Sequence, residues 1–169
     1  LAVAYKLSLQ QAKVTVFEKE SQEGQHQSGR NSGVLHCGLY YQPGSLKAKL
    51  SVQGIREMIA FAKDNNIPHD VCGKVVVATS EKEKKSLEIL AQRGHRNRLS
   101  GLSYLDHAAL KKREPFVRAQ KALLVPEEGI IDYKAVMQVL VQKIKENNGI
   151  IHFTTPITSI KEETAKEVQ

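Results

Sequence analysis

The sequence predicts an α/β protein in which one domain is interrupted by another. Strand-like and helical segments alternate along it, the outer stretches 1–20 and 132–161 read as parallel βα units, and the middle strand candidates near 74–79 and 122–126 suit a separate, mainly antiparallel sheet. A doubly wound domain is therefore expected over 1–72 and 130–169, with an α+β domain over 73–129 between its two parts.

Each element has a local reason. Leu1, Ala4, Tyr5 and Ser8 stand at helical spacing in LAVAYKLSLQQ. A chain opening inside a helix, without Met or an N-cap, reads as one whose first strand and turn lie upstream. Val14, Val16 and Phe17 then form a short buried strand that Glu18 closes. Helix, turn, strand and terminal acid make half of a dinucleotide-binding βαβ unit, in which such a carboxylate accepts hydrogen bonds from ribose hydroxyls. The plainer reading is that Glu18 begins a charged loop with Lys19, Glu20 and Glu23.

The stretch from Gly24 to Tyr41 is crowded with glycine, hydroxyl, amide and imidazole groups. Glycines at 24, 29, 33 and 38 permit close backbone approach, while Ser28, Arg30, Asn31, Ser32 and His36 offer donors to phosphate or carbonyl oxygens. A solvated loop of turn residues would look the same by composition. Ser45 next caps a long helix to about Asn65 with Leu46, Leu50, Met58, Ile59 and Ala62 on its apolar face, and Gly54 inside it suggests close packing. KVVVAT is a strand, Ser80 and Glu83 make a capping box for a helix to about Arg93-Gly94, and Asp106 caps a basic helix that stops at Pro115. ALLVP is another strand, and Val136, Leu140 and Ile144 share one face of a helix that begins at Asp132 and closes at Asn147-Asn148-Gly149. IIHFT is the next strand, and TPITSIK is expected to begin one more.

Composition narrows the classes. The apolar fraction of 41% with 25% charged residues is ordinary for a globular protein. The net charge of +7 would suit an anionic partner, but the lysines are interleaved with glutamate as on solvated helices, and 5% aromatics without tryptophan leave few base-stacking platforms. No nucleic-acid partner is expected. Cys37 and Cys72 make neither a disulfide framework nor a metal-ligand spacing, and His26, His36 and Cys37 lack the close ligand pairs of a metal site. There is no G-x-S-x-G elbow and no P-loop. A loop lying along a dinucleotide's pyrophosphate and redox ring uses the observed residue types well.

HQSGRNSGVLHCGLYYQPGSLKA, together with VFEKE, resembles the L-2-hydroxyglutarate oxidase/dehydrogenase family within the D-amino-acid-oxidase-like FAD-dependent oxidoreductases. CGKVVVAT, KKREPFV, GIIDY and TPITSI continue the resemblance over nearly the whole chain. It implies a Rossmann-like FAD-binding domain with Glu18 and Lys19 at the adenosine ribose and Ser28, Gly29, Asn31, Ser32 and Gly33 near the pyrophosphate and flavin. Ile157 would touch adenine through its backbone. His36 is the candidate catalytic base, or else a histidine orienting the flavin, and Arg30 could clamp a dicarboxylate where members often carry His. Cys37 stands where a smaller residue is common.

The implied reaction is oxidation of a 2-hydroxy acid, foremost L-2-hydroxyglutarate, with electrons leaving to a quinone, the respiratory chain or oxygen. A glycerol-3-phosphate or amino acid/amine oxidase of the same fold is the nearest alternative, and a non-catalytic anion-binding fragment a more distant one. The family's glycine fingerprint and C-terminal half are expected to lie outside these residues, so that the chain alone is expected to be inactive. The expected location is cytoplasmic, with peripheral attachment to the inner membrane as the variant.

Overall fold

Along the computed structural model, which describes residues 1–164 and 167–168, the elements are α1 (Ala2–Ser8), β1 (Thr15–Phe17), a 3-10 turn (Gln27–Gly29), β2 (Val34–Leu35), α2 (Leu46–Asp64), β3 (His69–Asp70), β4 (Lys74–Ala78), α3 (Glu81–Arg96), β5 (Ser103–Leu105), α4 (His107–Arg113), β6 (Lys121–Val125), β7 (Gly129–Ile131), α5 (Tyr133–Glu146), β8 (Ile150–His152), β9 (Glu162–Thr164) and β10 (Glu167–Val168). The three expected caps set where their helices begin. Ser45 Oγ accepts from Ala48 N–H at 3.2 Å, Ser80 Oγ from Glu83 N–H at 3.3 Å, and Asp106 Oδ1 from Ala109 N–H at 2.7 Å. Each supplies an acceptor to an amide that the first helical turn leaves without one, an interaction typically worth about 1 kcal/mol. Glu83 answers one residue further out than a capping box predicts, since its carboxylate accepts from Thr79 N–H and Oγ–H.

The chain divides into two compact units, Leu1–Ser32 with Tyr133–Gln169, and Gly33–Asp132. The middle unit starts well before the domain boundary expected at 72/73, because β2 and β3 both pair with β7 and so draw residues 33–72 into it.

In the first unit β1 and β8 form a parallel pair in the register Thr15↔Ile150, Val16↔Ile151, Phe17↔His152. α1 packs on α5, where Ser8 is buried and its hydroxyl accepts from Asn147 Nδ2 at 3.2 Å. α5 buries Val136, Met137, Leu140, Val141 and Ile144, the face its spacing predicts. Removing a side chain of this size from water contributes about 1.5–3 kcal/mol. β9 and β10 pair antiparallel. The strand expected in TPITSIK does not form. Thr154 adopts φ 54, which ends the extended chain just after β8, and Pro156 brings no N–H to a ladder.

In the second unit two antiparallel sheets, ordered β2-β7-β3 and β4-β6-β5, carry the inserted α+β architecture. β4 and β6 run together from Lys74↔Val125 to Ala78↔Lys121. α3 covers them with Leu87 and Ala91, and Leu123, Val125 and Ala78 are fully enclosed. Gly54 does not mark close packing, for a Cβ there would meet nothing within 4 Å. Among the described residues no helix is long and apolar enough to cross a membrane.

Candidate functional site

Glu18 leaves β1 at its C-terminal end and is held by the returning chain. Its N–H donates to His152 O at 2.8 Å, and its carbonyl accepts from Thr155 N–H at 2.8 Å. Its Oε1 accepts from Glu20 N–H at 2.9 Å, which leaves Oε2 without a protein partner among the described residues. Glu20 relays the connection: its carbonyl accepts from Thr154 N–H, and its Oε1 meets His26 Nε2 at 2.8 Å. The His26 hydrogen bond, with Lys19 beside it at 3.6 Å, holds the Glu20 carboxyl below the usual carboxylate range. His26 stands at the start of the 3-10 turn. Thus one run of hydrogen bonds links Glu18 and Lys19 to the Ser28 loop on one side and to the segment leading to the exposed Ile157 on the other.

The loop itself is shaped by backbone contact. A Cβ built on Gly29 would lie 1.9 Å from Gly24 O, so only glycine closes this turn. Asn31 spends its amide on the loop, with Nδ2 donating to Ser28 O at 2.8 Å and Gln27 O at 3.2 Å. Ser28, Arg30 and Ser32 are exposed and make no side-chain hydrogen bond among the described residues. A cavity of ≈ 230 Å³ lies alongside, lined by Gly24, Gly29, Arg30, Lys134, Met137 and Gln138 among others. A strand-end carboxylate with an open oxygen, hydroxyl donors, and a cavity lined by two cations and the single carboxylate of Glu23 form a donor set that fits a dinucleotide cofactor.

His36 and Gly33 belong to the second unit, and the sheet register explains what surrounds the histidine. β2 pairs with β7 as Val34↔Ile130 and Leu35↔Gly129, so one residue further along, His36 comes opposite Glu128. Gly73 N–H donates to Glu128 O at 2.8 Å, which brings Lys74, the first residue of β4, to the same place. Glu128 is 1% exposed. Its Oε1 accepts from Cys37 Sγ at 3.3 Å, and its Oε2 lies 2.5 Å from Lys74 Nζ and 3.8 Å from His36 Nδ1. No aligned hydrogen bond reaches Oε2, but an ammonium at 2.5 Å compensates its charge directly. Lys74 Nζ also stands over the Tyr40 ring, 4.7 Å from its centre.

Burial, and then the negative charge of Glu128, push the Cys37 thiol up to about 12, so it serves as a neutral donor. The following segment is pinned by α3 and its end: Asn97 Nδ2 donates to Gly38 O and Tyr41 O, each at 3.0 Å, and Arg93 Nη1 donates to Tyr40 O at 2.8 Å. His36 keeps 59% of its side chain exposed above this fixed base.

Within the first unit the structure brings together Glu18, Lys19 and the segment bearing Ile157, linked through His26 to Ser28 and Gly29. Glu128 and Lys74 were not among the residues singled out by sequence. The available signal was an acidic pair, Glu127-Glu128, directly before the apolar GII of a strand, where a carboxylate has to be buried or turned away.

A family model described as "FAD dependent oxidoreductase" matches residues 1–169. The chain is 40% identical over 163 residues to the mitochondrial L-2-hydroxyglutarate dehydrogenase of Nematostella vectensis, covering 95% of this chain and 36% of that one. It is 38% identical over 156 residues to the L-2-hydroxyglutarate dehydrogenase of Indibacter alkaliphilus, covering 92% of this chain and 39% of that one. The chain thus spans well under half the length of these relatives. Among solved structures, the dithionite-reduced L-alpha-glycerophosphate oxidase of Mycoplasma pneumoniae with FAD bound superposes with a TM-score of 0.86 at 31% identity, over 94% of this chain and 43% of that one. L-proline dehydrogenase from P. horikoshii shares the fold with a TM-score of 0.86 at 14% identity, over 98% of this chain and 44% of that one.

Proposed function

We propose, proceeding from the fact that this chain belongs to the FAD dependent oxidoreductase family, that it forms the ribose- and pyrophosphate-binding loop and the base of an enzyme oxidising L-2-hydroxyglutarate to 2-oxoglutarate. The observation that carries this reading is the likeness, through nearly all of the chain, to relatives named as L-2-hydroxyglutarate dehydrogenases. Glu18 accepts hydrogen bonds from the adenosine ribose, with Lys19 beside it and Ile157 against adenine through its backbone. Ser28, Ser32 and the backbone of Gly29, Asn31 and Gly33 face the pyrophosphate and flavin, and Asn31 acts mainly by holding the turn. Arg30 pairs with a substrate carboxylate.

Bound FAD supplies the two-electron acceptor for the hydride that leaves C2 of the substrate. His36 takes the hydroxyl proton as the C–O bond becomes a carbonyl, a task suited to an imidazole that is exposed on one side and held on the other. Electrons then leave to a quinone, the respiratory chain or oxygen.

The test is anaerobic mixing of substrate with the FAD-loaded protein expressed from its complete reading frame. L-2-hydroxyglutarate is expected to bleach the flavin absorbance, and His36→Gln to slow that bleaching by roughly a hundredfold or more. A second reading, oxidation of glycerol phosphate, is favoured by the likeness to the glycerophosphate oxidase. Bleaching by glycerol phosphate and not by the hydroxy acid would replace the first reading with the second.

A further inference from the structure

We propose that Glu128 is the positioning residue for His36: its carboxylate faces Nδ1, keeps Nε2 as the basic nitrogen, and stabilises the imidazolium formed when Nε2 takes the substrate proton. The catalytic meaning of this inference rests on the reading above, whereas the contact itself is a feature of the second unit. A carboxylate that is 1% exposed is costly to bury, and a fold retains one only where its charge is answered. Here Oε1 is answered by the neutral thiol of Cys37, and Oε2 by Lys74 at 2.5 Å with His36 Nδ1 behind it at 3.8 Å. That longer distance is a charge contact and not a hydrogen bond, so its strength grows when the ring becomes positive.

A carboxylate facing one ring nitrogen favours, by charge, the tautomer that carries the proton there and leaves the other nitrogen to exchange one. The β2-β7 register holds it, since it sets residues 36 and 128 face to face. The charged groups at the histidine are Glu128, from the turn before β7, and Lys74, from β4; Cys37 is uncharged and Tyr40 presents its ring to Lys74. The rival account is that Glu128 exists only to neutralise Lys74.

The experiment follows the His36 ring proton by NMR and turnover by flavin reduction, on the FAD-loaded protein from its complete reading frame. Glu128→Gln is expected to move the His36 ring from the Nδ1-protonated toward the Nε2-protonated tautomer, read in its ring nitrogen shifts. Its kcat is expected to fall roughly tenfold to a hundredfold, with KM changed less than about twofold. Because this variant leaves Lys74 unanswered, the pair Glu128→Gln/Lys74→Met is compared with Lys74→Met alone: the same tautomer change is expected. An unchanged His36 tautomer in folded Glu128→Gln, or full recovery of kcat when Lys74→Met is added to it, would overturn the proposal in favour of the rival. Full turnover in His36→Gln sinks the base assignment and with it the catalytic role of Glu128. An inactive His36→Gln with an unchanged His36 tautomer in Glu128→Gln overturns the Glu128 inference alone.

Discussion

In the 24–32 loop the polar side chains of Ser28, Arg30 and Ser32 face solvent and the tightest packing is backbone on backbone, Gly29 against Gly24 O. A few residues later, around Cys37, a carboxylate, an ammonium and a thiol are packed together largely out of water. The two regions treat polarity in opposite ways. In the first, the side chains of Ser28, Arg30 and Ser32, which make no hydrogen bond among the described residues, are available to a ligand, and the fold pays only in glycine. In the second, the polar groups satisfy one another and what they offer outward is a single oriented side chain, His36. A polar loop and a buried polar cluster thus draw their stability from different sources.

The comparison is sharpened by three substitutions, read by urea unfolding with far-UV circular dichroism because the chain has no tryptophan. Glu128→Ala removes the answer to Lys74 and opens a hole, and is expected to destabilise by about 3–4 kcal/mol. A loss below about 1 kcal/mol would mean that the cluster is more hydrated than its burial indicates. Gly29→Ala drives a methyl group into Gly24 O and is expected to cost about 2–3 kcal/mol. If it costs nothing measurable, the loop gives way and its shape is not imposed by that contact. Arg30→Gln, at an exposed side chain, is expected to stay within about 0.5 kcal/mol of the parent. A clear loss of stability there would show that the loop's polar groups support the fold, and the contrast between the regions would break.

Much of the scaffold was legible because its signals are local. Ser45, Ser80 and Asp106 announce helix starts by the geometry of one amide each, and the face of α5 follows from spacing alone. The pairing of β4 with β6 was legible too, from two apolar runs of matching length. β2, β3 and β7 were not, since strands of two or three residues leave no alternation to read, yet they decide where the second unit begins. TPITSIK reads as a strand by composition and fails because the backbone before it turns at Thr154. Half of the candidate site was visible as residue types, but the partnership of His36 with Glu128 joins positions far apart in the chain. Only the register of β2 on β7 brings them together.

The buried thiol has a use beyond its hydrogen bond to Glu128. Thiolates, not thiols, react with alkylating reagents, and Cys37 is both enclosed and pushed up to about 12, whereas Cys72 is exposed. The chain therefore carries one prompt label site and one silent one. Cys72 takes a reagent at once, and Cys37 takes it only when the second unit opens, so the slow phase of alkylation is a clock for that opening and needs no engineered probe.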